Sequence, residues 1–215
     1  MNWQSYIPED LVSYIENKIH GESVLIKISK SRRSKFGDYL NHPYKGHVIT
    51  VNKDLGKYAF FFTLCHELAH YFAFKQYGSR IKPHGKEWKQ VFRQIMLPVC
   101  QRDAFPPKLN ALIMRHMNKP KASSAIDIDL KKELSVYSNN DISKAPIMLL
   151  DDLKKGQDFM LRNGRKFKLI ENKRTRAHCL EIKGKRIYSI HKATEVNLLP
   201  CLQSFQNQKS QETLL

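Results

Sequence analysis

Two hydrophobic periods run through this 215-residue chain, one in each half. In the first half apolar residues recur at helical spacing. Leu11, Ile15 and Ile19 share a face behind Pro8, Glu9 and Asp10, a proline and two acids that suit a helix start. Residues 58–74 are apolar almost throughout, and the first breaker after them is Gly78. A helix apolar on most faces is a buried one. Trp88, Val91, Phe92 and Ile95 predict a further helix over residues 87–96, and residues 109–117 predict another. Ile128, Leu130 and Leu134 give a short helix over 127–137 its apolar strip. Residues 23–29 and 46–51 read as strands, with a basic loop at 30–35 between them. Strands followed by helices imply an α+β layer architecture.

The second half alternates instead. Phe159 and Leu161, then Phe167 and Leu169, are interleaved with Lys166 and Lys168, and Asn163-Gly164 between them is a strong hairpin signal. Residues 177–182 and 186–190 alternate likewise around Lys183-Gly184-Lys185. A small antiparallel β domain over residues 151–200 follows, with a compact barrel as one closed form of it. Phe159, Phe167 and Tyr188 have the shape to stack bases, but their alternation favours a buried core. The chain thus divides into a domain at 1–120, a linker with a short helix at 121–150, the β domain, and a polar tail at 201–215. Pro, Lys and Ser at 119–124 mark the hinge.

The chemistry sits in the long apolar run. His66-Glu67-Leu68-Ala69-His70 is an H-E-x-x-H pattern, and residues four apart on a helix share a face. Two imidazoles there can converge on one cation, with Glu67 beside it to take a proton from a bound water. The plainer reading is a core helix with two incidental histidines. Burying two His and a Glu without partners is costly, however, and a metal removes that cost. A third ligand is needed, with the fourth position left for water. His84 and Glu87 both lie at the start of the next helix, and spacing alone leaves both open.

Beyond that motif, Ile28-Ser29-Lys30-Ser31-Arg32-Arg33-Ser34-Lys35-Phe36-Gly37, residues 47–52 and His84-Gly85-Lys86-Glu87-Trp88 give residues 6–115 a recognisable arrangement. It resembles the SprT-like (Spartan-type) zinc metalloprotease family. The resemblance implies a zincin-like domain, a small sheet plus the H-E-x-x-H helix, holding one Zn2+ on His66, His70 and His84. It makes Glu67 the general base of peptide hydrolysis and leaves Glu87 outside the ligand set. It also implies substrates that are proteins bound or crosslinked to DNA. Pro83 stands where the family often has Gly before the third His. Many relatives end in a four-cysteine zinc ribbon, whereas this chain has only Cys179 and Cys201 after residue 150. Tyr71, Arg80 and His116 are candidates to stabilise an oxyanion beside the metal.

Charge adds a partner. The chain carries 37 Lys and Arg against 20 Asp and Glu, a net of +17. Residues 154–192 alone hold thirteen basic and three acidic side chains. A plain reading is a solvated basic face, but clustering of this density attracts polyanions. The expected DNA-binding residues are Arg165, Lys166, Lys168, Lys173, Arg174, Arg176, Lys183, Lys185 and Arg186. No apolar stretch is long enough for a membrane span, and residues 1–5 lack the regions of a secretory leader. Four scattered cysteines without a C-x-x-C pair suit reduced thiols in a cytoplasmic protein, nucleoid-associated if bacterial. Two other functions remain consistent with the residues: a general regulatory peptidase indifferent to DNA, and a non-catalytic nucleic-acid-binding protein with a structural zinc.

Overall fold

The computed structural model describes residues 2–32, 35–118, 127–137 and 147–200, and is a mixed α+β structure with two sheets. The expected hinge at 119–124, the tail at 201–215 and Cys201 lie outside those residues. The chain divides into two compact units, Met1–Ala145 and Pro146–Leu215.

In the first unit, a 3-10 turn at Glu9–Leu11 leads into helix α1 (Val12–Ile19). Three strands follow: β1 (Val24–Ser29), β2 (Gly37–His42) and β3 (Gly46–Asn52). Their order is β1-β3-β2, with β1 parallel to β3 and β2 antiparallel to it, so β2 is an edge. Helix α2 (Lys57–Tyr77) packs against β2 and β3 and against α3 (Lys86–Cys100). α4 (Pro107–Asn118) and α5 (Ile128–Val136) complete the layer, Asp127 capping α5 by accepting from the Leu130 N–H. In α2 the buried residues run consecutively from Phe60 to Cys65, a run that covers every face of a helix. That is why the sequence shows no polar stripe there: α2 is the core's central rod, walled by the sheet and by other helices. Gly78, at φ 78°, ends it, its N–H returning to the Phe74 carbonyl at 2.7 Å.

The second unit is an antiparallel sheet of β4 (Asp158–Leu161), β5 (Lys166–Asn172), β6 (Arg176–Glu181), β7 (Ile187–His191) and β8 (Val196–Leu198). The order β7-β6-β5-β4-β8 leaves β7 and β8 at opposite edges, so the sheet is open rather than a closed barrel. Phe159, Phe167, Leu169, Ala177 and Cys179 fill one face with Leu150, Leu153 and Val196. Phe159 and Phe167 are fully buried, so they are core and not base-stacking platforms. Gly164, at φ 83°, turns the β4–β5 hairpin with the Asn163 carboxamide accepting from Arg165 N. In the β6–β7 turn the left-handed position falls on Lys185, at φ 50°, and not on Gly184. At Gly184 a Cβ would meet the Glu181 carboxylate at 2.5 Å, a contact that the Glu181 side chain would have to move to relieve.

Candidate metal centre

His66 and His70 stand one turn apart on α2, their ring centroids 5.1 Å from each other. The loop to α3 brings in His84, whose Nε2 lies 3.0 Å from the Nε2 of both. His84 adopts φ 57°, a left-handed conformation uncommon for a side chain of this size, and the following Gly85 lets the chain turn so tightly. A Cβ on Gly85 would come within 2.8 Å of the Lys82 carbonyl. Trp88, one turn into α3, packs against all three imidazoles at centroid distances of 4.6, 5.3 and 4.8 Å and stacks on Phe92.

Hydrogen bonding cannot account for this cluster. A neutral imidazole offers one donor and one acceptor, so a single Nε2 on His84 cannot bond correctly to both neighbours. Protonation is not the answer either. Burial and the other two rings push His66 down to about 2, and burial pushes His70 down to about 4 and lowers His84. Three neutral rings therefore turn nitrogen lone pairs toward one point. His66, His70 and His84 lie close enough to hold a metal ion. Glu87 does not join them; it lies 3.8 Å from Lys86.

Glu67, between the two histidines on α2, reaches the start of β2. It is buried, close to Gly37. Burial and the nearby Asp38 push it up to about 8, while Arg32 and Lys35 oppose that rise. Gly37 makes the approach possible: a Cβ there would sit 2.7 Å from both Glu67 Oε1 and Thr63 Cγ2. The basic loop is tied down by buried Asn52, whose Oδ1 accepts from Arg32 Nε at 2.8 Å and whose Nδ2 donates to the Lys35 carbonyl at 2.9 Å. Periodicity gave no hint of β2, Gly37 or Asn52 as site residues. Their signals were a glycine after a basic loop and an asparagine ending a strand.

Two of the oxyanion candidates are engaged elsewhere. The Tyr71 hydroxyl donates to Glu22, and buried His116 meets Asp127 at 3.2 Å beneath Phe62. Arg80 is exposed.

The structure sorts the nine cations expected to contact DNA. Arg165 pairs with Glu181 at 2.8 Å and lies over the Tyr188 ring at 4.4 Å, and Lys168 pairs with Asp158. Lys173 pairs with Glu171, and Arg176 donates to Ser189. Lys166, Arg174, Lys183, Lys185 and Arg186 are exposed, three of them in the β6–β7 turn.

A long buried helix carrying two histidines and a carboxylate, with a third histidine delivered by the next loop, forms a three-histidine cluster able to hold a metal ion. Residues 8–110, just under half of the chain and all within the first unit, match the SprT-like family. A 33-residue segment is 48% identical to Protein SprT of Pseudomonas paraeruginosa and to Protein SprT of Pseudomonas aeruginosa. That segment spans 15% of this chain and 20% of those relatives. No solved structure matches the chain.

Proposed function

We propose that this chain is a zinc metalloendopeptidase with a zincin-like catalytic domain, acting on proteins bound or crosslinked to DNA. The observation that carries the reading is the pairing of three convergent imidazole nitrogens with a buried carboxylate on the adjacent residue. The donor set fits zinc: three neutral nitrogens and no carboxylate suit a borderline cation better than Mg2+ or Ca2+. Among the described residues no fourth His, Cys, Asp or Glu joins the cluster, which favours an open catalytic position over a closed structural site. A zinc ion held there supplies a Lewis acid that polarises the scissile carbonyl and acidifies water.

The remaining chemistry belongs to the protein. Glu67, which a cation on the three imidazoles would help to ionise, would take the proton of the attacking water and deliver it to the leaving amine. The close approach of Gly37 to the Glu67 and Thr63 side chains fixes where that carboxylate can lie. β2, as an edge strand next to Glu67, offers backbone groups for an extended substrate to pair with. The DNA-linked substrate class is supported by the basic excess and by the exposed lysines and arginines of the second unit.

The test incubates the zinc-loaded chain with a basic DNA-binding protein, with and without DNA, alongside Glu67→Gln. The reading expects cleavage that depends on DNA and falls by roughly 10²–10⁴-fold in the variant, the usual share of a general base. Cleavage at equal rates by both proteins rejects the mechanism. DNA-independent cleavage rejects the substrate class and leaves a general peptidase.

A further inference from the structure

Alongside the metal centre, α3 turns a second surface to solvent. Lys86, Lys89 and Arg93 recur at helical spacing along it and line a groove of about 630 Å³ together with Gln90, Gln94, Leu97 and Asn118. No carboxylate lines this groove. Arg93 is set in place by two carbonyls at the end of α4, its Nε donating to Met117 at 2.7 Å and an Nη to Asn118 at 3.0 Å. The groove begins one residue after Gly85, so its first cation is two residues from His84.

Three cations and three amides around Leu97, with Glu87 3.8 Å from Lys86 as the nearby acid, leave the lining net positive, and spaced cations suit a polymer with one charge per repeat. Of the polymers that qualify, a phosphate chain is favoured over an acidic peptide because the basic excess also runs through the second unit, where thirteen basic residues face three acidic ones. We propose that the α3 groove binds a nucleic-acid phosphate backbone and holds it next to the metal centre, so that a protein attached to that strand is presented for cleavage. This inference rests on the peptidase reading for its purpose, but the binding itself does not.

The experiment uses the full chain and a labelled single-stranded oligonucleotide, with binding followed by anisotropy from 50 to 200 mM salt. K86Q/K89Q/R93Q is compared with K27Q/K45Q/K53Q, which removes the same charge from exposed positions elsewhere. The groove variant should bind at least ~10-fold more weakly at low salt, with a log–log salt slope shallower by about 2, since each phosphate contact contributes about 0.7. K86Q/K89Q, which leaves the Arg93 anchor intact, should show the same change with a slope shift of about 1.4. Equal losses in the groove and control variants overturn the proposal. So does polyglutamate losing as much affinity to the groove variant as the oligonucleotide does, because the groove would then select acidic protein. Cleavage of an unattached peptide, followed in parallel, separates the two claims. A chain that cleaves while its DNA binding ignores the groove loses this inference alone. A chain that cleaves nothing while its binding follows the groove loses the peptidase reading alone.

Discussion

The two units use their side chains in opposite ways. In the first, the polar groups that matter are pulled into the core: His66, His70 and Glu67 stand on a helix with apolar neighbours on every face, and burial shifts all three away from their ordinary protonation. In the second, the sheet buries one face and leaves its lysines and arginines outside, several of them tied to carboxylates. Metal chemistry needs lone pairs kept free of protons and water, which burial provides. Polyanion binding needs charges that stay hydrated until the partner displaces the water. Periodicity follows the need: 3.6 where a helix must be surrounded, 2 where a sheet must show one face.

The largest way to break the contrast is to remove the metal. A ligand held at a thousandfold above its Kd stabilises the fold by about 4 kcal/mol, so chelation should lower the Tm by several degrees and zinc should restore it. Trp88, against all three rings, should report the same titration by its fluorescence. Next is Gly37→Ala, which forces the Glu67 carboxylate aside. Turnover should fall by ~10²-fold, as misplacing a reacting group by about 1 Å does, while zinc content stays at the wild-type level. Unchanged turnover would show that β2 does not position the base.

A subtler effect appears in the metal-free protein as pH changes. His66 and His70 are held neutral, so the stability they contribute is present above their unfolded pKa of 6.5 and is lost as pH falls below it. Glu67 works with the opposite sign: its folded pKa of about 8 exceeds its unfolded 4.5, so stability is lost as pH rises through that interval. Denaturant midpoints of the metal-free chain should therefore peak near pH 6.5 and decline toward pH 8, and Glu67→Gln should remove the decline. The smallest effect belongs to the second unit. Neutralising Lys183, Lys185 and Arg186 should weaken DNA binding a few-fold and leave cleavage of a free peptide untouched.

Much of this was legible from sequence, for identifiable reasons. α2 announced itself because seventeen nearly apolar residues without a breaker have few other folds, and the H-E-x-x-H spacing carries its own geometry. The β4–β5 hairpin was legible from Asn163-Gly164 because few dipeptides accept that turn. β2 was not, because Asp38, Asn41 and His42 give an edge strand no apolar alternation. The choice between His84 and Glu87 was not legible from spacing either. It depends on a left-handed backbone at His84, which no local pattern encodes. Nor could charge counting tell Arg165, folded onto Glu181 and Tyr188, from exposed Lys183.

The account stands on three imidazoles converging, and elemental analysis tests that most directly. Zinc per chain should be measured in the wild type, His84→Ala and Glu87→Ala after passage through a weak chelator. One zinc per chain in the wild type and in Glu87→Ala, with loss in His84→Ala, is the predicted result. Zinc retained without His84 and lost without Glu87 would contradict it.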